Sequence, residues 1–275
     1  MIQPIARRLA AAIAALLLTT GLAAAQTRPV VRGFGAETPT VFLFVGNSFF
    51  YYNNSMHGQI GQLVRGLGAR ETRPWRAVSV TISGSGLDWH DVDSYFRPNA
   101  VGAYSFDANN NIIMNPPGRV FDAAIMMDCS QCPVHPTLSA VFTDYAKRHA
   151  DTVRRHGARP IFFMSWAYAD KPEMTAQLAE AYTVAGNAND ALVIPAGLAF
   201  ARSIAERPGL NLYVADLRHP SLAGTYLAAA TVYAAIYGRS PEGSSYTAGL
   251  DPETAAFLQS VAWRTVREYF GTATN

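Results

Sequence analysis

The 275-residue chain is 49% hydrophobic and 15% charged, enough apolar material for one sizeable core and too short for several large domains. Its 22 basic residues nearly balance its 20 acidic ones. No cluster of Lys and Arg forms the stripe that nucleic-acid binding requires, so an uncharged or apolar ligand fits the balance better.

Residues 1–25 have the pattern of a cleavable secretory signal peptide. Arg7 and Arg8 form a basic head, Leu9 to Leu18 an apolar run, and Ala23-Ala24-Ala25 offers small residues before Gln26. The run is short for a membrane anchor, so a secreted or periplasmic protein without stable membrane insertion is expected. Removing it takes away two arginines and no acid, leaving 20 basic against 20 acidic residues. Residues 26–38 lack periodicity and read as a linker, and one catalytic domain is expected over 39–271.

Val41 to Val45 is a continuous apolar run of strand length, as expected for a strand buried on both faces of a parallel sheet. Gly46-Asn47-Ser48 follows, then a helical pattern through Ile60, Leu63, Val64 and Leu67. Ala77–Ile82, Val120–Met127, Pro160–Ser165 and Ala191–Ile194 supply four more strands, the fourth of the five preceded by a helical stretch from Leu138 to His156. This alternation predicts a three-layer α/β/α sandwich around a central, mostly parallel five-stranded sheet, whose ligands bind beyond the carboxyl ends of the strands. Residues 91–119, rich in aromatics and Asn, are long for a connection and read either as a lid or substrate loop or as a surface insertion. A closing helix is predicted from Asp251, its N-cap, through Pro252 to Phe270.

Ser48 after the first strand, together with Asp216 and His219 three residues apart, forms the candidate catalytic set. A serine hydroxyl needs a base to take its proton, histidine titrates near neutrality, and an acid fixes the imidazole tautomer. Ser221 is placed to cap the helix that follows. The developing oxyanion needs donors, and the candidates are the Ser48 and Gly84 backbone N–H groups and the Gln131 side-chain amide. Taken singly, each residue has a plainer role: Ser48 a helix cap, Asp216 a turn acid, His219 a capping histidine, Asn47 a turn former or a holder of the serine loop. His149 and His156 fall on a basic helical stretch and are expected to be solvated. His57, His90 and His135 lie near the site loops and are expected to line the pocket. Cys129 and Cys132, in one Cys-Ser-Gln-Cys element, read as a short-range disulfide or two partly buried thiols. A structural zinc site there is rejected for want of a second ligand cluster.

No Gly-x-Ser-x-Gly elbow occurs, which argues against an ordinary α/β-hydrolase. The order of the blocks instead resembles the SGNH or GDSL hydrolases. Gly46-Asn47-Ser48-Phe49 is similar to their first block, Ser83-Gly84-Ser85-Gly86-Leu87 to the second, with Gly84 favoured over Gly86, and Asp216-Leu217-Arg218-His219-Pro220 matches the last. Along the third block, Cys129 falls on the glycine, Gln131 on the asparagine and Cys132 on the aspartate. The resemblance implies a flavodoxin-like sandwich and a cofactor-free serine esterase with Ser48, His219 and Asp216 in the catalytic roles. Carbohydrate O-acetyl groups or small lipid and aryl esters are the implied substrates. The alternatives are a non-catalytic module of the same fold that binds a glycan or acyl group and, third, a disulfide-handling protein using the two cysteines.

Overall fold

In a computed structural model of the chain, residues 27–272 are described, apart from 36, 69–74, 98, 102–103 and 115–117. The expected signal peptide lies outside the described residues. In chain order the elements are β1 (Val41–Gly46), α1 (Ser48–Tyr51), α2 (Met56–Gly66), β2 (Arg76–Thr81), α3 (Val92–Tyr95), β3 (Tyr104–Phe106), β4 (Ile112–Met114), β5 (Ala123–Met126), α4 (Ser139–Arg155), β6 (Arg159–Phe163), α5 (Met174–Ala188), β7 (Leu192–Ile194), α6 (Ala196–Glu206), α7 (Leu222–Tyr237) and α8 (Pro252–Phe270).

Five strands form one sheet in the order β2-β1-β5-β6-β7, every neighbouring pair parallel. The apolar runs explain the order of burial. From Phe42 onward β1 is fully buried, as are β5 and β7, whereas edge strand β2 is only partly covered. Helices α2 and α7 pack together on one face, with α6 and α8 outside α7, while α4 and α5 cover the other. This is the expected three-layer sandwich. Helix α7 is Ala-rich and apolar all round, and Ala223 through Tyr237 are all buried, as a helix held between a sheet and further helices must be.

At the amino ends of the strands, the buried Asp122 carboxylate accepts hydrogen bonds from Thr40 N–H and Val41 N–H, both at 3.0 Å, and pairs with Arg119 at 2.9 Å. The start of β1 is thus locked to the segment that enters β5. The stretch expected to be a linker is attached to the domain: Thr27 and Val30 donate to Glu180 and Asn187 of α5, and Val31 and Phe34 pack against the core.

The segment 91–119 has two parts. Its base is anchored, with Val92 and Phe96 buried and Phe96 packed edge-on against Phe121 at 5.5 Å. Beyond it, β3 and β4 form an antiparallel hairpin with Tyr104, Phe106, Ile112, Ile113 and Met114 all exposed. Asp107 closes its turn by accepting from the amides of Asn109 and Asn111, both at 2.8 Å.

The start of α7 is pressed against the loop that carries Asp216 and His219. A Cβ on Gly224 would lie 2.3 Å from the Leu212 carbonyl oxygen, 3.0 Å from the Phe200 ring and 3.2 Å from Pro220. Gly224→Ala is therefore expected to lower stability by about 1–3 kcal/mol through overpacking, read as a lower urea midpoint. Gly209→Ala, where nothing lies within 4 Å of the added carbon, is the control and should leave the midpoint unchanged.

Candidate active site

β1 delivers the serine. Its last residue, Gly46, is followed by Asn47, which sits in extended conformation as the N-cap of α1 and accepts from Phe49 N–H through its side-chain oxygen at 3.2 Å. Because Asn47 does the capping, Ser48 is the first helical residue and its hydroxyl is left for another partner. Asn47 Nδ2 also donates to the carbonyls of Ser85, at 3.0 Å, and Asp128, at 3.1 Å. One buried amide thereby holds together the loops after β1, β2 and β5.

The partner of Ser48 comes from the far end of the chain. Ser48 Oγ lies 2.7 Å from His219 Nε2, and His219 Nδ1 is in short hydrogen-bond contact with Asp216 Oδ2. Asp216 Oδ1 accepts from the backbone N–H groups of Arg218 and His219, each at 2.9 Å. Burial works against the charge on Asp216, but the histidine and the two amides outweigh it and lower its pKa to about 2. The carboxylate is thus ionised at neutral pH and accepts from Nδ1–H, so the Nε2 lone pair faces the Ser48 hydroxyl.

The loop carrying these groups is tied down on both sides. Val214 N–H donates to the His219 carbonyl and Ser221 N–H to the Leu212 carbonyl, both at 2.9 Å. Ser221 caps α7 by accepting from Gly224 N–H at 3.2 Å, as its position suggested. Leu217 holds a left-handed φ of 63°, and its carbonyl accepts from Ala169 N–H at 2.9 Å. Residues just after α1 grip the histidine. Tyr52 stacks on the His219 ring at 4.3 Å with 12° between planes, and Asn53 Nδ2 donates to the Pro220 carbonyl at 2.9 Å and to Thr225 Oγ1 at 2.8 Å. The sequence signals neither role. An aromatic and an amide just beyond a short helix look like surface turn residues until the last loop folds onto them.

Ser48 N–H and Gly84 N–H have no hydrogen-bond acceptor among the described residues. Gly84 is exposed in a left-handed turn at φ 71°, where a side chain would be strained. Its neighbour Ser83 bonds to Tyr51, the last residue of α1, at 2.5 Å, which keeps the turn beside the serine. Gly86 instead lets two carboxylates approach the backbone, since a Cβ there would lie 2.6 Å from Asp88 Oδ1 and 2.7 Å from Asp128 Oδ1. Gln131 is exposed on the loop after β5, which a Cys129–Cys132 disulfide closes.

Below these loops lies a buried polar layer. Asp128 Oδ1 accepts from Leu87 N–H at 2.9 Å and Cys129 N–H at 2.7 Å, bridging the loops after β2 and β5. Burial raises its pKa to about 6 despite those two bonds. His90, expected to line the pocket, lies beneath it, with Nε2 3.2 Å from the Gly46 carbonyl oxygen and 3.0 Å from Ser85 Oγ. Burial lowers its pKa to about 4, so it is neutral and structural. His149 corrects the expectation of a solvated residue: it is buried on the inner side of α4, and Nε2 is 2.8 Å from the Leu87 carbonyl oxygen. His156 stacks on Phe96 at 4.8 Å and bonds to Asp93 at 2.9 Å. His57 is half-buried near Phe44, and His135 accepts from Thr137 N–H at 3.3 Å.

No protein-family model matches the chain, and no curated protein matches its sequence. Solved structures do match its fold. A DUF4886 family protein from Bacteroides uniformis superposes with a TM-score of 0.58 at 17% identity, over 86% of this chain and 96% of that one. A candidate SGNH hydrolase from Slackia heliotrinireducens superposes with a TM-score of 0.52 at 20% identity, over 71% and 98%. The chain has the SGNH hydrolase fold.

Asp128 gives the site a measurable pH signature. Its folded-state pKa of about 6 lies above the unfolded value of about 3.9, so the folded state holds the proton longer. Stability from this group is greatest below pH 4 and is lost as pH rises to 6. In Asp128→Asn that component is absent. The gap between wild-type and variant urea midpoints should therefore change between pH 4 and pH 6 and stay constant from pH 7 to pH 8.

Proposed function

We propose that the protein is a serine hydrolase that cleaves acyl esters through an acyl-serine intermediate, with carbohydrate O-acetyl groups or small lipid and aryl esters as substrates. The observation that carries the reading is the unbroken line from ionised Asp216 through His219 to Ser48. A binding module has no use for an imidazole lone pair aimed at a serine hydroxyl.

In this mechanism Ser48 Oγ attacks the ester carbonyl carbon while its proton passes to His219 Nε2, and the C=O electron pair moves onto oxygen. The Ser48 and Gly84 amides, with the Gln131 side chain as a third donor, stabilise that oxyanion. Collapse re-forms the carbonyl and expels the alcohol, which takes the proton from Nε2. Water then gives a proton to the same nitrogen and attacks the acyl-serine, and the acid leaves as Ser48 recovers its hydrogen. Asp216 remains ionised throughout, holding the tautomer and balancing the imidazolium. No metal or organic cofactor enters any step. The exposed rings of Tyr51, at the end of α1, and of Trp89, in the segment after β2, suit the face of a sugar or aryl group.

Ser48→Ala is expected to lower kcat for 4-nitrophenyl acetate by about 10³-fold or more, with His219→Ala similar and Asp216→Ala milder, since an unoriented imidazole is still a base. Far-ultraviolet circular dichroism should be unchanged in all three. A Ser48→Ala protein that keeps most of its turnover would refute the assignment.

The stacked ring of Tyr52 gives a second test. The ring holds the imidazole in line with Ser48, so Tyr52→Ala should lower kcat for 4-nitrophenyl acetate by about ten-fold through loss of that positioning, and Tyr52→Phe, which keeps the stacked face, should restore it. An unchanged kcat in Tyr52→Ala would show that the contact does not position the base.

A further inference from the structure

We propose that Arg218 forms a subsite for a carboxylate carried by the substrate, beside the serine on the side of the loops after β5 and β6. The proposal rests on the esterase reading for its substrate and on separate geometry for its charge selectivity. Arg218 directly precedes His219 and is exposed. Its backbone is fixed at both ends: N–H donates to Asp216 Oδ1, and the carbonyl accepts from Trp166 Nε1, each at 2.9 Å. The side chain is placed as well. Its guanidinium lies over the Tyr168 ring, 4.7 Å from the centroid, and the buried Tyr168 is held in turn by a 2.7 Å hydrogen bond between its hydroxyl and Ser130 Oγ. Ser130 adjoins Gln131. The cation is therefore built into the rim formed by the loops after β5 and β6.

What this cation lacks is a counter-charge. Arg119, Arg159, Arg207 and Arg264 each meet a carboxylate within 2.9 Å, whereas among the described residues no carboxylate lies within ion-pair distance of Arg218. Asp216, two residues away, spends its oxygens on His219 and on the two amides. Among the described residues the guanidinium N–H groups of Arg218 meet no acceptor while its carbon lies over the Tyr168 ring, and a carboxylate can grip such a fork with two parallel hydrogen bonds. A side chain already ordered by Tyr168 gives up little further freedom when it binds. The rest of the chain is close to charge balance, so this preference is local to the site. Ester substrates with a free carboxylate, such as an acylated sugar acid or an acylated hydroxy acid, meet both requirements.

Binding without turnover separates this proposal from the catalytic one. In Ser48→Ala protein, calorimetry should show 4-acetoxybenzoate binding about ten-fold more tightly than its methyl ester, the scale of a charge-assisted hydrogen bond. In Ser48→Ala/Arg218→Gln the two should bind alike, and Arg218→Lys in the same background should retain part of the preference. Equal affinity for the two ligands in Ser48→Ala, or a preference that survives Arg218→Gln, would overturn the subsite. Hydrolysis of neutral 4-nitrophenyl acetate by the wild-type protein decides the esterase reading independently. With turnover intact, the Arg218→Gln ratio of kcat/KM for 4-acetoxybenzoate over its methyl ester should fall by the same factor.

Discussion

The side-chain amide of Asn47 is the constraint on which the rest of the site depends. Buried at the carboxyl end of β1, it satisfies the amino end of α1 and donates to the carbonyls of Ser85 and Asp128. Three loops from three adjacent strands thus share one amide, and leaving its partners unsatisfied in a buried layer would cost each the penalty of an unpaired polar group. Its second effect is on the serine. With the capping work taken by Asn47, the Ser48 hydroxyl bonds, among the described residues, to His219 alone. Asp128 repeats the pattern one layer lower, joining the loops after β2 and β5 through a carboxyl that burial keeps protonated to a higher pH than usual.

The acid and base obey a different logic, that of a short loop folded onto itself. Asp216 reaches His219 across three residues because Leu217 takes up a left-handed conformation and the amides of Arg218 and His219 turn back to the carboxylate. The loop is then clamped from outside by Asn53, Trp166 and Tyr52. Such preorganisation matters because a base and nucleophile held at reacting distance need no further ordering when substrate arrives. It also explains why Gly224 must lack a side chain: the first turn of α7 approaches the Leu212 carbonyl too closely to admit one.

Much of this architecture is legible in the sequence, and the part that is not has a common cause. Continuous apolar runs mark the inner strands, the half-covered edge strand β2 shows as Val78 and Val80 alternating with Ser79 and Thr81, and residue types with few other uses in that order mark the first and last site loops. The run Val120–Met127 is longer than β5 (Ala123–Met126), although Asp122 already bonds to both neighbouring strands, its N–H donating to the Val41 carbonyl at 2.7 Å and its carbonyl accepting from Arg159 N–H at 2.9 Å. The roles of Asn47, Tyr52 and Asp128 show weakly or not at all in the local pattern, since they are set by loops 38 to 167 residues away. His149 looks solvated in sequence because basic neighbours on α4 mask the single face that turns toward Leu87. In each case local pattern carries the element, while tertiary contact decides what the polar side chain does.

The central claim is that His219 activates Ser48 as a nucleophile, and covalent labelling tests it most directly. Wild-type protein treated with a small fluorophosphonate should gain one adduct by intact mass, mapped by peptide sequencing to Ser48, and His219→Ala should gain it far more slowly. The absence of an adduct on folded protein, or an adduct on another serine, would contradict the account.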